Sequence, residues 1–300
     1  MKICFVYSNR AEYSLLMSFI DYFQRLENVS KLDLSKKIKK IHLDKNLHKV
    51  FQLCYNEFSS KKYDYVIVVG DRRELMFMLL PAFFLNIKIV HVGAGEYLEG
   101  IPTYDQFIRP AVSIFSNFQI CFSKKSKSEV IKLFSGISNL KHHAYFFGNP
   151  VLSNINLKKL KRPIKEKYDI VLLHPQSLSR KNTEKDIVFV KKCLRKNKTV
   201  FISGNKDRNY DLIEKFYNKL KGQKLEYKFY ESLPKEKYLS LVKYCEKLYT
   251  NTSSIAEIKA LNKKCLVTVG ARNKNRNEHV LNIKAPSLLH NLLKKDFKKK

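Results

Sequence analysis

The fold is decided by three segments of sequence, VIVVGDRRE at residues 66–74, IVHVGAGEYLEG at 89–100 and YDQFIR at 104–109. The first two are apolar runs that end in a glycine and a carboxylate, Asp71 and Glu96. Continuous apolar runs are typical of strands in a parallel sheet that is covered on both faces. Because residues just past the strand ends line the ligand crevice of such a sheet, the pattern predicts a site at Asp71 and Glu96, with Asp105 and Arg109 beside them.

The same alternation of strands and helices extends along the whole chain. Before residue 150, strands are predicted at 3–8, 65–70, 87–92, 118–123 and 142–148, and helices at 10–26, 74–84, 107–116 and 126–134. After it, strands are predicted at 169–174, 199–204, 226–232, 247–251 and 264–270, separated by helical patterns, with a last helix at 281–293. This repeated order predicts an α/β protein with parallel sheets.

A break in the pattern at residues 149–167 suggests two domains. The segment contains Pro150, Pro163 and many lysines, and it has no clear strand. We interpret it as a linker between Rossmann-like domains at 1–150 and 151–300, whose parallel sheets face across a cleft. The last helix is a candidate to pack back on the first domain. Clefts between domains are common ligand sites.

Composition indicates a globular protein of the cytoplasm. Apolar residues make up 44% of the 300 residues, which is enough for real cores. The longest apolar run, at 75–85, is too short to span a bilayer, and the first residues lack the pattern of a cleaved signal. Six scattered cysteines form no CxxC pair and are predicted to be buried, reduced thiols.

The formal net charge of +31 has three candidate explanations. Lysines are spread along the chain, which favours a simple lysine-rich surface. Attraction to an anionic substrate, or peripheral attraction to an anionic membrane, is the second explanation. Nucleic-acid binding is the least favoured, because none of the usual recognition motifs accompanies the lysines. We therefore expect no nucleic-acid partner.

Several polar residues of the first half have a structural alternative to a functional role. Arg10 and Glu12 open a helix, where backbone N–H groups and an arginine suit phosphate, but both could be surface residues. Asp71 could be a helix N-cap. His91 lies inside a strand and is interpreted as a core histidine rather than a base. The glycines before Glu96 could form only a turn.

Asp105 and Arg109 are four residues apart, which would place them on one face of a helix. The alternative is an exposed ion pair that contributes little. Because Pro110 disfavours helical backbone at Arg109, the helix is expected to start near Pro110.

The second half carries candidate phosphate-binding residues after its strands. His174 ends a strand and could donate to phosphate or act as an acid. Ser253 and Ser254 precede a helix that has Glu257 in its first turn, which suits a phosphate seat but also fits a capping box. Arg272 and Arg276 follow the last strand and form a candidate diphosphate clamp.

Taken in order, these motifs resemble the UDP-N-acetylglucosamine 2-epimerase family, especially its hydrolysing, sialic-acid-pathway branch. The matching pieces are RAEYSLL, VVGDRRE, HVGAGEYLEG with YDQFIR, GNP, LHP, the serine pair before Glu257, and GARNKNR. The resemblance implies a GT-B-type fold. It also implies a second strand between residues 26 and 61, where the pattern of this chain shows none.

The resemblance further implies a UDP-2-acetamido-sugar substrate, with elimination of UDP followed by addition of water. Asp71, Glu96 and Asp105 would be the acid–base residues. The diphosphate would be stabilised by Arg10, Arg109, His174, Arg272 and Arg276, while Ser253, Ser254 and Glu257 would hold phosphate and ribose. No metal or nicotinamide is implied. A homodimer is left open, and the alternatives are a GT-B glycosyltransferase or a non-catalytic basic binding protein.

Overall fold

The computed structural model describes residues 1–37, 46–96, 105–137, 142–194, 197–204, 206–221, 227–273 and 278–299. The backbone alone is described at Arg10, Ser35, Lys37, Asp105 and Tyr227. The chain divides into two compact units. Unit 1 comprises Met1–Tyr97, Tyr104–Asn154 and Asn277–Lys300, and unit 2 comprises Leu98–Thr103 and Ile155–Arg276. The domain boundaries drawn from the sequence, 1–150 and 151–300, stay a prediction.

Strands and helices alternate in both units. In chain order, unit 1 contains β1 (Lys2–Tyr7), α1 (Arg10–Phe23), β2 (Asn28–Asp33), α2 (Leu34–Lys37), α3 (Leu47–Lys61), β3 (Tyr65–Val69), α4 (Leu75–Phe84), β4 (Lys88–Val92), α5 (Asp105–Phe115), β5 (Phe118–Cys121), α6 (Lys124–Ser135) and β6 (Ala144–Phe146). Unit 2 contains β7 (Tyr168–Leu173), α7 (Arg180–Cys193), β8 (Lys198–Ser203), α8 (Tyr210–Lys221), β9 (Tyr227–Tyr230), α9 (Lys235–Tyr244), β10 (Lys247–Thr250), α10 (Ile255–Asn262) and β11 (Leu266–Thr268). The last helix, α11 (Ala285–Phe297), belongs to unit 1.

Each unit is built on one parallel sheet. The six-stranded sheet of unit 1 has the order β2-β1-β3-β4-β5-β6, and the five-stranded sheet of unit 2 has the order β11-β10-β7-β8-β9. All strand pairs in both sheets are parallel. The predicted α/β class with two Rossmann-like parallel sheets is therefore confirmed. That the two sheets face across a cleft stays a prediction.

The core of unit 1 lies on both faces of its sheet. Along β3, Val66 and Val68 pack into one apolar cluster, while Ile67 and Val69 pack into the opposite one. This two-sided burial explains why the strand reads as a continuous apolar run rather than an alternating one. Helix α11 closes the second cluster, and the hydroxyl of Tyr65 donates to the carboxylate of Asp296 on that helix over 2.5 Å.

The region between β1 and β3 and the start of α5 differ from the sequence predictions. Strand β2 and helices α2 and α3 occupy a region in which the sequence pattern showed no elements, although the family resemblance implied a strand there. Only Leu32 of β2 is fully buried, because the strand lies at the sheet edge, and so it has no apolar signal. Helix α5 begins at Asp105, and Pro110 lies inside it, so the expected start near Pro110 is wrong. None of the helices in the described part of the chain is long and apolar enough to cross a bilayer.

Candidate functional site

The carboxyl ends of β3 and β4 bring the first candidate residues to one edge of the sheet. The two strands are paired in parallel, with Val69 opposite Val92. Gly70 turns the chain with a φ of 88°, and Asp71 follows it. The ring of buried His91 contacts the carbonyl oxygen of Gly70 through Nε2 at 2.8 Å. Burial lowers the pKa of His91 to about 4, so this histidine is a neutral core residue, as predicted.

An arginine on α5 links the two strand ends. The guanidinium of Arg109, 5% exposed, forms an ion pair with the carboxylate of Asp71. Its other terminal nitrogen donates to the carbonyl oxygen of Gly93 over 2.6 Å. Because Arg109 is buried, the alternative of an exposed ion pair at this residue is wrong. The alternative of an N-cap at Asp71 is also wrong, because α4 begins only at Leu75.

Glu96 is buried at the end of β4 and is held at both carboxylate oxygens. The hydroxyl of Ser126 donates to Oε1 over 2.5 Å, and Nε2 of His279 lies 3.0 Å from Oε2. Gly95, with a φ of 73°, carries the chain past α6 so closely that a Cβ there would overlap the carbonyl oxygen of Ser126. The glycine is therefore required by this close approach as well as by its backbone angle.

The start of α1 contains a buried carboxyl group that the sequence placed among surface candidates. Glu12 is 5% exposed and accepts hydrogen bonds from the backbone N–H of Ser8 (2.6 Å) and from its hydroxyl (2.9 Å). Burial raises the pKa of Glu12 to about 7. The hydroxyl of Ser8 also lies 2.9 Å from Glu74. The surface alternative is thus wrong for Glu12, while the side chain of Arg10 lies outside the description.

In unit 2, Asn251 fastens the end of β7 to the turn after β10. Its side chain accepts from the backbone N–H of His174 over 2.7 Å and donates to the carbonyl oxygen of the same residue over 2.9 Å. Arg272 donates to the carbonyl oxygen of Asn251 over 3.0 Å, and Asn273 donates to that of Thr252 over 2.6 Å. His174 and Arg272 therefore both contact Asn251, His174 through its backbone and Arg272 through its guanidinium.

The turn before α10 presents its two serines differently from a capping box. Ser253 is exposed and Ser254 is partly exposed. Although Ser254 occupies the N-cap position, its side chain makes no capping hydrogen bond within the described structure. Glu257 is buried, and its charge acts on Lys235, whose pKa is lowered by burial. The capping-box alternative is therefore wrong.

Some candidate side chains lie outside the described part of the structure, and some contacts at the site were not predicted from the sequence. Asp105 provides the first backbone residue of α5, its side chain is not described, and Arg276 falls outside the described residues altogether. Sequence reasoning missed Ser126, Asn149 and His279, although Asn149 stands in the GNP motif. Among the described residues, no three histidine, cysteine, aspartate or glutamate side chains cluster as metal ligands would.

Comparison with known proteins points to one family. A family model described as UDP-N-acetylglucosamine 2-epimerase matches residues 8–293. Polysialic acid biosynthesis protein P7 of Escherichia coli is 26% identical, over 92% of this chain and 80% of that protein. GDP/UDP-N,N'-diacetylbacillosamine 2-epimerase (hydrolyzing) of Campylobacter jejuni is also 26% identical, over 92% of this chain and 82% of that protein.

Solved structures share the fold. The UDP-GlcNAc 2-epimerase of Methanocaldococcus jannaschii in complex with UDP-GlcNAc and UDP superposes with a TM-score of 0.75 at 17% identity, covering 98% of this chain and all of that one (100%). The enzyme of Neisseria meningitidis bound to UDP-GlcNAc gives 0.74 at 14% identity, with coverage of 98% and 100%.

Proposed function

Since the chain belongs to the UDP-N-acetylglucosamine 2-epimerase family, we propose that it hydrolyses a UDP-2-acetamido sugar with inversion at carbon 2. The products are UDP and a free N-acetylmannosamine-type sugar, which serves the synthesis of sialic or related nonulosonic acids. Relatives named for polysialic acid biosynthesis and for a hydrolysing diacetylbacillosamine 2-epimerase support this assignment.

One observation carries the proposal. Two carboxylates follow adjacent strands at one edge of the same sheet, and each is held by its own polar partners: Asp71 by Arg109, and Glu96 by Ser126 and His279. A nearby guanidinium favours the ionised form of a carboxyl group, and two donors do the same. Ionised carboxylates held in place can take and return protons at a sugar carbon.

The reaction proceeds in two steps. In the first, a carboxylate takes the proton from carbon 2 while the bond from carbon 1 to the diphosphate oxygen breaks, which leaves UDP and a sugar with a double bond between carbons 1 and 2. In the second, water adds its oxygen to carbon 1, and carbon 2 receives a proton on the opposite face. The net change is consumption of one water and release of UDP and the epimeric sugar.

We assign the residues of each unit to parts of this reaction. In unit 1, Asp71, Glu96 and Asp105 serve as acids and bases, Arg109 orients Asp71, and Arg10 binds phosphate. In unit 2, the diphosphate and ribose are bound by polar and cationic side chains after the strands, namely His174, Ser253, Ser254, Glu257, Arg272 and Arg276. Cations near the diphosphate stabilise the charge that develops on the leaving group.

The test is incubation with UDP-N-acetylglucosamine, and separately with UDP-N,N'-diacetylbacillosamine, in deuterated water. We expect release of UDP together with deuterium at carbon 2 of the free sugar. Release of UDP without deuterium would contradict the elimination mechanism. A deuterated UDP-sugar epimer without UDP release would assign the chain to the non-hydrolysing reaction.

Two substitutions test the carboxylates. Asp71→Asn and Glu96→Gln are each expected to lower kcat by at least ~100-fold, because a positioned acid–base group contributes that much or more. Glu129→Gln is the matched control, since Glu129 lies on α6 and forms a surface ion pair with Lys132. Near-normal activity of both site variants would remove these carboxylates from the mechanism.

A further inference from the structure

We propose that His279 is a positioning residue, which holds the carboxylate of Glu96 by donating from Nε2 as a neutral imidazole. This role in catalysis rests on the proposed function, whereas the position of the imidazole proton does not. The contacts that carry the proposal all lie in unit 1 and join residues that are 183 positions apart in sequence.

The first step is the orientation of the Asn149 amide. The backbone N–H of Val151 donates to Oδ1 of Asn149 over 3.0 Å, which fixes the oxygen on that side. The amide nitrogen, Nδ2, therefore faces Nδ1 of His279 at 3.0 Å. An amide nitrogen can only donate, so Nδ1 of His279 must be the acceptor and carries no proton.

The second step follows from the chemistry of a neutral imidazole. With Nδ1 unprotonated, the ring proton resides on Nε2, which lies 3.0 Å from Oε2 of Glu96. His279 is thus a donor to the carboxylate. A proton on Nδ1 would instead point at the N–H of Asn149, which would leave that pair of atoms without an acceptor.

The direction of the hydrogen bond to the other carboxylate oxygen of Glu96 is equally well defined. The hydroxyl of Ser126 donates to Oε1 of Glu96 over 2.5 Å. Since that proton is committed, the hydroxyl of Ser123, 2.5 Å from the Ser126 hydroxyl, supplies the proton between the two serines. Both oxygens of Glu96 therefore accept a hydrogen bond.

Backbone pairing fixes where His279 lies. The carbonyl oxygen of Val280 accepts from the N–H of Asn149 over 2.7 Å, and the N–H of Val280 donates to Phe122 over 2.9 Å. The imidazole rests edge-on against the ring of Phe122, with centroids 5.0 Å apart. A Cβ at Gly148 would lie 2.7 Å from the carbonyl oxygen of Val280, so this glycine allows the two segments to approach. The GNP motif thus determines both where His279 lies and which of its ring nitrogens carries the proton.

The proton position can be measured without any substrate. Long-range proton–nitrogen spectra of the imidazole rings, with His279 assigned by comparison with His279→Gln, report which nitrogen carries the proton. We expect the neutral form with the proton on Nε2 at neutral pH. A proton on Nδ1, or an imidazolium, overturns the proposal, whether or not the protein turns over a UDP-sugar.

The catalytic role is tested by two substitutions at His279. His279→Gln keeps an N–H near the position of Nε2 and is expected to stay within ~5-fold of the wild-type kcat, because the bond to the charged group is retained. His279→Leu removes the donor and is expected to lower kcat by about 30-fold with KM nearly unchanged. Equal loss in both variants, or normal kcat in His279→Leu, contradicts the role.

A second histidine–glutamate pair in the same unit provides the matched control. His290, on α11, lies 2.7 Å from Glu27 and is buried, whereas His279 is partly exposed. His290→Leu is expected to lower thermal stability about as much as His279→Leu while kcat stays near the wild-type value. If His290→Leu lowers kcat equally, the effect of His279→Leu is one of stability and the proposal fails. Absence of 2-epimerase activity in the wild type would refute the proposed function alone.

Discussion

In unit 1, the carboxylates that follow β3 and β4 are held by other side chains, Asp71 by Arg109 and Glu96 by Ser126 and His279. In unit 2, the corresponding strand ends are fastened through the backbone. Asn251 brackets the peptide groups of His174, and Arg272 donates to a carbonyl oxygen. The hydrogen bonds at the sheet edge of unit 1 therefore fix the positions of charged side chains, whereas those at the sheet edge of unit 2 fix the path of the backbone.

This difference matches two chemical needs. Proton transfer requires a carboxylate at a defined position and in a defined protonation state, which partner side chains supply. Binding a phosphate requires a backbone turn of defined shape with polar groups at its surface, which bonds to the backbone supply. Substitutions in unit 1 should therefore affect rate, and those in the turn of unit 2 should affect affinity.

The largest effect is expected from Gly95→Ala, which changes the loop of unit 1 that carries Glu96. Alanine at a φ of 73° would overlap the backbone carbonyl of Ser126, so the loop or α6 must move. We expect a loss of ~3–4 kcal/mol in the free energy of unfolding, from backbone strain and displaced packing together. Because Ser126 holds Glu96, kcat should fall at least ~100-fold. Urea unfolding and the UDP-release assay measure the two effects.

Gly70→Ala is the control for backbone strain alone. Its φ is 88°, yet among the described residues no atom beyond Gly70 and its two chain neighbours lies within 4 Å of the position of an added Cβ. The expected cost is about 1–2 kcal/mol, the usual penalty for an alanine in left-handed backbone. If the two variants prove equally unstable, the contact between Gly95 and α6 does not constrain the loop.

The next effect concerns the pH dependence of stability and compares a buried carboxyl group from each unit. Burial raises the pKa of Glu12 from 4.5 to about 7. Its contribution to stability is full below pH 4.5 and is lost as the pH rises through 7, because folding must then accommodate the buried charge. At 1.36 kcal/mol per pH unit, the total loss is about 3 kcal/mol.

Unfolding of the wild type and of Glu12→Gln, measured between pH 4 and pH 8 (roughly the span of this linkage), isolates that contribution. The stability of the variant relative to the wild type should rise with pH. Burial also raises the pKa of Asp186 in unit 2, but Gln176 and Asn251 donate to it and oppose the shift. Asp186→Asn should therefore show a pH dependence of the same sign. A difference that does not change with pH would contradict a buried, titrating Glu12.

Much of the fold and part of the site followed from local sequence. The apolar runs that became β3 and β4 are buried on both faces, and topology alone then brings Asp71 and Glu96 to one edge. Strand β2 was implied only by the family resemblance, because an edge strand with a single buried apolar residue has no periodic signal. The sequence therefore indicated central strands more reliably than the edge of the sheet.

Tertiary contacts account for what local reasoning missed at the site. Pro110 disfavours helix at the preceding residue, yet α5 includes both, because Arg109 is buried and bonded to Asp71 and to the Gly93 carbonyl. The pairing of Glu96 with His279 spans 183 residues, and no spacing rule connects them. Burial of Glu12 was likewise invisible, since a carboxylate in a first helical turn is normally exposed.

The smallest effects on stability are expected at the first residues of α1 and α10, where substitutions distinguish a helix cap from a ligand contact. The side chain of Asn9 caps α1 in unit 1 by accepting from the N–H of Glu12 over 3.0 Å, whereas Ser254 at the start of α10 makes no capping bond in the described structure. Asn9→Ala should cost about 1 kcal/mol. Ser254→Ala should change stability by less than ~0.5 kcal/mol but weaken UDP binding about tenfold, because a hydrogen bond to a charged group contributes ~1.5 kcal/mol or more. Urea unfolding and calorimetric titration with UDP separate these outcomes. A Ser254→Ala variant that loses stability while keeping its UDP affinity would show that the serine is a structural residue. The turn before α10 would then not be a binding site for UDP, and the contrast drawn between the two units would fail in unit 2.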